Sequence, residues 1–396
     1  MELQYSIGEA LGTDYFGLRE PFTPQQESYL VRTRTFVDTE VLPVINGYWE
    51  RAEFPWGLVE KMSGLGIFGD GIKGYGVPEM DPLSVGLINM ELNRGDGSLG
   101  TFMAVQAGLA MQSIAKCGSE EQKQRWLGPM ARLEKIGAFA LTEPEHGSDS
   151  VSLGTTATPD GQSYVLNGHK KWIGNGSIAD VIVVWARDTS DKAVKGFLVE
   201  KGAPGYTAKV MEGKASLRAV WQAEIDLDGV RVPAEDRLPG ANSFKDCAAI
   251  LTGTRSGCAW MALGHAVAGF DTALTYAKRR EQFGKSLTSF QIIQQRLVRM
   301  LADVTAMQLY CVQIAKLDAA GKLVPTMAGL AKMHNTSKAR VVLADARDML
   351  GGNGILLDFH VIRHMLDLES IHTFEGTETV QTLLVGRDIT GVSAFG

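Results

Sequence analysis

Apolar residues recur at helical spacing from about residue 24 to 135, as in SYLVRTRTFVDTEVLPVI and EEQKQRWLGPMARL, with Pro and Gly marking the breaks. This predicts an N-terminal α-helical domain over residues 1–137. The period then shortens. SYVLNGHKKWI, DVIVVWAR, KGFLVEK and AEIDLDGVRVP are short β-rich runs separated by turn residues, and they predict a middle, β-barrel-like domain over 138–238. Long amphipathic patterns return after that, interrupted by GK at 321–322 and GGNG at 351–354, and they predict a C-terminal bundle of four or five helices over 239–396. Strands do not alternate with helices, so the expected class is α+β multidomain and not a doubly wound sheet. No G-x-G-x-x-G follows a strand, which argues against a Rossmann dinucleotide site.

The chain has 396 residues, 45% of them hydrophobic, enough for a large core in two or three domains. A formal net charge of −6 with no basic stripe makes nucleic acid an unexpected partner. No apolar run reaches bilayer length, and the N-terminus MELQYSIGEALGTDYFGL lacks the layout of a secretory leader. SAFG at the other end is not a peroxisomal address, so the expectation is a cytoplasmic protein without membrane insertion. Cys117, Cys247, Cys258 and Cys311 form no C-x-x-C pair, and the histidines show no ligand spacing, so no metal site is expected. The thiols are expected to be buried and reduced.

Several short stretches bear polar or glycine-rich turns. FALTEPEHGSDS at 139–150 offers hydroxyls and close backbone approach, suited to a polar heterocycle or an acyl carbonyl, although the same residues make ordinary turns. In NGHKKWIGNGS at 167–177, Trp172 either walls a planar cofactor or fills the core of the β domain. RREQFGKSLTSFQ at 279–291 sets Arg280, Gln282, Phe283 and Gln291 around a break between long helices, which reads as a pyrophosphate site or as a surface loop. RDMLGGNGI at 347–355 reads as a helix end with spare glycines. Glu375 in HTFEGTETV is either a solvated helix-cap carboxylate or a proton acceptor.

The order LTEP..GSD, NG.KKWI, R..QFG, LGGNGI and EGT, on an α–β–α plan, resembles the acyl-CoA dehydrogenase family of flavoenzymes over essentially the whole chain. The C-terminal part looks most like the glutaryl-CoA dehydrogenase branch. YWERAEFPWG, GIKGYGVPEM and KKWIGN also resemble plant short-chain acyl-CoA oxidases of that branch.

The resemblance implies the acyl-CoA dehydrogenase fold and FAD-dependent α,β-dehydrogenation of an acyl-CoA thioester in fatty acid or amino acid catabolism. FAD would lie between the β domain and the C-terminal bundle. Phe139, Leu141, Thr142 and Ser148 would line the flavin and thioester region, with Trp172, Ile173 and Gly174 on the other side of the ring. Arg280, Phe283 and Gln291, with Leu350, Gly351 and Gly352 of a neighbouring subunit, would hold the dinucleotide end, and Thr377 would touch FAD beside the base. A homo-oligomer follows, most often a tetramer, with electron-transferring flavoprotein or a similar carrier as acceptor. Glu375 matches the catalytic base, with its backbone N–H among the donors to the enolate oxygen and Gly376 leaving room for the thioester. Arg255 matches a position near the CoA arm, although a bundle ion pair accounts for it equally well.

Three positions depart from the glutaryl-CoA pattern. The arginine, glutamate and tyrosine around the distal carboxylate appear here as Gly100, Asn93 and Phe374. With Gly100, Thr101 and Phe374 lining the acyl pocket, an unpaired buried carboxylate would cost several kcal/mol, so an uncharged short acyl chain is expected. Gly174 stands where most family dehydrogenases carry a hydroxyl, as in the plant oxidases, which keeps O2 open as the acceptor. A non-catalytic acyl-CoA-binding scaffold would have lost the base or the flavin contacts, and neither is lost. Asp367 and Glu369 read either as pocket residues or as exposed helix charges.

Overall fold

The computed structural model describes residues 14–394; residues 1–13, which carry most of the leader argument, and the last two residues of SAFG lie outside the described residues. Seven helices come first: α1 (Pro24–Phe36), α2 (Ile45–Arg51), α3 (Trp56–Ser63), α4 (Pro82–Gly95), α5 (Gly97–Met103), α6 (Gln112–Cys117) and α7 (Glu120–Ala131). Asp96, in extended conformation between α4 and α5, accepts from the N–H groups of Ser98 and Leu99 and so starts α5. That helix widens into a π-helical segment, Ala104–Met111, before α6, a local unwinding that the hydrophobic pattern does not announce.

The middle domain is one curled sheet built from β1 (Gly137–Ala140), β2 (Thr156–Asp160), β3 (Ser163–Gly174), β4 (Val181–Asp188), β5 (Val194–Glu200), β6 (Tyr206–Val210) and β7 (Gln222–Pro233). Its order is β1-β4-β2-β3-β7-β6, with β5 paired to the other edge of β4. β4 is buried almost throughout, which explains its unbroken run of apolar residues, whereas β7 alternates between core and solvent. β3 slips register against β7 between Lys170 and Ile173, and at that bulge Trp172 takes a left-handed φ of 64°.

The C-terminal bundle holds α8 (Phe244–Arg279), α9 (Gln291–Ala319), α10 (Pro325–Met349), α11 (Val361–Thr373) and α12 (Glu378–Thr390). α8 is the mast of the molecule, packed against both α4 and α10. A Cβ on its Gly264 would lie 2.2 Å from the Met90 carbonyl oxygen, so only glycine lets the α4 and α8 backbones meet. The break at 280–290, which the sequence offers as a pyrophosphate site or a surface loop, is a miniature hairpin, β8 (Glu281–Gln282) with β9 (Lys285–Ser286). Phe283 and Gly284, at φ 54° and 77°, form its two-residue turn.

Buried charges join the three parts. Glu143 receives Lys170 Nζ at 2.8 Å, the N–H groups of Gly154 and Thr155, and the Thr155 hydroxyl; Lys170 also donates to the Leu141 carbonyl. Burial opposes the Glu143 charge, but Lys170 and these donors hold the carboxyl at about 2. Replacing one partner strands the other, so Lys170→Met is expected to cost about 3–5 kcal/mol. A urea titration followed by tryptophan fluorescence measures this as a lowered midpoint.

α11 is fastened on three sides. Arg363 is fully buried and donates to Asp96, to the Gly95 carbonyl and to Asn46. Asp367 accepts from Trp49 Nε1 at 2.8 Å and from the Leu217 N–H, while Ser370 shares a hydrogen bond with Ser216. Asp367 is therefore a buried anchor and not an exposed helix charge, and burial raises its pKa. Glu369 is exposed and pairs with Arg340.

Candidate active site

α11 ends at Thr373, and the chain turns through Phe374, Glu375 and Gly376 before Thr377 caps α12 by accepting from the Val380 N–H. Thr377, not Glu375, thus performs the capping. Glu375 has φ 56° and Gly376 has φ 84°, two successive residues in the left-handed region. The Glu375 carboxylate is half-buried and accepts a short hydrogen bond from Thr254 Oγ1 of α8. Burial is the largest influence on it and raises its pKa; the Thr254 hydroxyl and the charges of Lys332 and Arg255 pull the other way. The backbone N–H of Glu375 has no hydrogen-bond partner among the described residues.

The π-helical segment links this turn to the middle domain. A Cβ at Gly108 would lie 3.6 Å from the Thr254 methyl, on the side facing Glu375. One turn earlier, Val105 Cγ2 would lie 2.8 Å from a Cβ at Gly174, the last residue of β3. Gly174, Val105, Gly108, Thr254 and Glu375 therefore form a continuous path between the sheet edge and the carboxylate. At that sheet edge Phe139, Leu141 and Ile173 are buried, Thr142 accepts from the Lys171 N–H, and Ser148 is exposed. Trp172 keeps 55% of its surface exposed on the bulge. An indole held out of the core beside a glycine strand end and a threonine turn is an open wall for a planar ring, so these residues fit a flavin.

The other sequence candidates lie elsewhere. Arg280, Phe283 and Gln291 cluster at the far end of α8, where Asn353 donates to the Tyr276 hydroxyl and so brings Leu350, Gly351 and Gly352 to the same end. Phe283 is 93% exposed. At 1.5 Å per residue, the helix from Thr254 to Arg280 spans roughly 39 Å. One chain therefore does not bring these residues to its own Glu375.

Between α4 and α5, a Cβ at Gly100 would lie 2.1 Å from Asn93 Nδ2, and Asn93 donates to the Asn89 carbonyl. The Asn93 carboxamide thus fills the space a longer side chain at position 100 would need. Arg94, the one cation on α4 and α5, is fully engaged with Glu91 and Asp38. Thr101 Oγ1 and Asn93 Oδ1 are buried without a hydrogen bond among the described residues. Phe374 packs against both hydrophobic cores. Arg255 is partly buried, its Nε has no hydrogen-bond partner among the described residues, and burial lowers its pKa.

Sequence reading missed three contributors: Thr254, Lys332 and Gln381. Lys332 had a local signal, a lysine in the apolar phase of α10, and Gln381 lies on the first turn of α12 close after the glutamate, while Thr254 becomes visible only through a tertiary contact. Among the described residues no cluster of side chains is arranged to hold a metal, all four cysteines are buried, and no helix is long and apolar enough to cross a membrane.

The acyl-CoA dehydrogenase N-terminal, middle and C-terminal domain families match residues 23–134, 138–230 and 244–390. The chain is 35% identical over 372 residues to the short-chain specific acyl-CoA dehydrogenase of Clostridium acetobutylicum, covering 93% of this chain and 98% of the relative. The crystal structure of glutaryl-CoA dehydrogenase from Mycobacterium smegmatis superposes with a TM-score of 0.95 at 39% identity, covering 97% of this chain and 99% of that one. A glutaryl-CoA dehydrogenase from the same organism in complex with FADH2 superposes with a TM-score of 0.95 at 36% identity, with the same coverage.

Proposed function

The chain belongs to the acyl-CoA dehydrogenase family of FAD-dependent oxidoreductases, and from that premise we propose that it desaturates an uncharged, short-chain acyl-CoA to the trans-2-enoyl-CoA, with Glu375 as the base. The observation that carries this reading is the placement of Glu375: a half-buried carboxylate with a raised pKa, linked through Thr254 and one helical segment to the sheet edge that fits a flavin.

Bound FAD supplies the acceptor for the hydride that leaves the β-carbon. The chain's own residues do the rest. Phe139, Leu141, Thr142, Trp172, Ile173 and Gly174 hold the ring, Ser148 reaches ring and thioester, and Thr377 lies beside the base. Glu375 takes the α-proton on its carboxylate, and its unpaired N–H donates to the thioester oxygen as negative charge develops there. Gly376 leaves the thioester space, Arg255 meets the CoA arm, and Gly100, Thr101 and Phe374 close a pocket to which α4 and α5 offer no uncommitted cation, Arg94 being paired with Glu91 and Asp38.

The separation of Arg280, Phe283, Gln291 and Leu350–Gly352 from the base supports a homo-oligomer, with a tetramer expected, in which a second copy completes the dinucleotide site. Exposed Phe283, Ile292, Val298, Ile355 and Leu356 give that end an apolar surface to bury.

A second reading, an oxidase passing electrons to O2, is favoured by one observation: Val105 fills the space beside Gly174, so the hydroxyl side chain common at that position has no room. Butyryl-CoA turnover coupled to electron-transferring flavoprotein, without hydrogen peroxide, is the expected outcome. Hydrogen peroxide formed in equal amount with enoyl-CoA selects the oxidase, and no enoyl-CoA under either condition refutes both.

A further inference from the structure

Two buried side chains outside the family motifs reach the turn that carries Glu375. Lys332, fully buried on α10 and 42 residues before Phe374, donates from Nζ to the carbonyls of Phe374 and Gly376. Gln381, fully buried on α12, donates from Nε2 to the Glu375 carbonyl at 2.9 Å and to the Gly376 carbonyl at 3.4 Å. All three carbonyls of the turn therefore end on these two side chains. With the carbonyls held inward, the Glu375 N–H stays unpaired and its carboxylate reaches Thr254.

The conformation needs such restraint. Glu375 bears a side chain at φ 56°, which a residue other than glycine holds only where its surroundings over-determine it. At Gly376, a Cβ would lie 2.3 Å from Gln381 Nε2, so the same amide that fixes the turn also reserves position 376 for glycine.

We propose that Lys332 and Gln381 are positioning residues for the base: together they clamp the Glu375–Gly376 turn, and the Lys332 ammonium steadies the ionised carboxylate. This rests on Glu375 being the base. Glu375 is faced by Arg255, Cys247 and Cys258 from α8 and by Lys332 from α10. Lys332 is faced in turn by Cys258, Arg255 and Glu375, and by His372 of α11. Burial pushes the Cys258 thiol up to about 12, raises Cys247 and lowers His372, so these three are uncharged near neutrality. Among the described residues Lys332 and Arg255 are then the cations acting on Glu375, and of the two Lys332 is the one hydrogen-bonded into its turn. Burial also lowers the Lys332 pKa, which Glu375 partly offsets.

The test uses the FAD-loaded protein and two readouts. One is the ionisation of the Glu375 carboxyl, followed by infrared difference spectroscopy against Glu375→Gln; the other is the limiting rate of anaerobic flavin reduction by butyryl-CoA. In Lys332→Met the carboxyl is expected to ionise at least about one pH unit higher. The acid limb of the rate profile moves with it, and the rate at neutral pH falls at least about thirtyfold with flavin content retained. In Gln381→Leu the rate falls at least about tenfold while the ionisation stays in place, because geometry is lost and the charge is kept. An unmoved ionisation in Lys332→Met, or a rate within threefold of wild type in either variant, overturns the proposal. If Lys332→Met does not accumulate as a flavoprotein, Gln381→Leu decides alone by its rate at an unchanged thermal midpoint. If no acyl-CoA reduces the wild-type flavin, the dehydrogenase reading fails instead, and the infrared titration still reports what Lys332 does to Glu375.

Discussion

Glu375→Gln is expected to retain its flavin and to lose flavin reduction by on the order of ten-thousand-fold, the upper end of what a positioned base contributes. The amide is nearly isosteric, its oxygen still accepts from Thr254 Oγ1, and the turn held by Lys332 and Gln381 is untouched. Only the capacity to take a proton is removed. Stopped-flow absorbance under anaerobic conditions measures the loss directly, and retained turnover contradicts the assignment. The wild-type profile has a defined sign as well. Burial raises the Glu375 pKa above its ordinary 4.5, and the base works ionised, so the rate of proton abstraction falls as pH drops through that raised value.

Glutaryl-CoA is expected to be a poor substrate, with kcat/KM roughly two to four orders of magnitude below that of butyryl-CoA and no release of CO2. A second carboxylate in the proposed acyl pocket finds Asn93, Gly100 and Phe374 where the glutaryl enzymes place glutamate, arginine and tyrosine. Arg94 is committed to Glu91 and Asp38, and Arg34 to Glu91. An unpaired buried charge costs about 3–5 kcal/mol, and each 1.36 kcal/mol is tenfold in rate. The Mycobacterium smegmatis glutaryl-CoA dehydrogenase, at 39% identity, and the short-chain enzyme of Clostridium acetobutylicum, at 35%, differ in their own substrates, so similarity alone does not choose between a charged and an uncharged acyl chain. The Asn93–Gly100 contact is the physical reason for preferring the second. Gly100→Arg alone is not expected to restore glutaryl-CoA turnover, because its side chain would start 2.1 Å from the Asn93 amide.

Much of this was legible in the sequence because the family motifs are local. LTEP, LGGNGI and EGT sit at turns or helix ends and KKWIG at the bulged end of β3, each with residue types that its backbone geometry favours, and the change from helical to strand periodicity marks where the sheet begins. Apart from Gln381, what escaped was non-local. Thr254 meets Glu375 across 121 residues, and Lys332 reaches the same turn across 42 and 44, so neither contact leaves a spacing to read. Asp367, one of several acids in a helical stretch, is a buried anchor because Trp49 and Leu217 converge on it from two other parts of the fold. The π-helical segment joining Gly174 to Thr254 keeps an ordinary apolar pattern, and so gives no sign of its extra residue per turn.

Desaturation of an uncharged short-chain thioester is tested most directly by anaerobic titration of the purified flavoprotein with butyryl-CoA. One equivalent is predicted to bleach the visible flavin band and to yield one equivalent of 2-enoyl-CoA. A flavin spectrum unchanged by butyryl-CoA and its neighbours in chain length, or bleached by glutaryl-CoA alone, would contradict it.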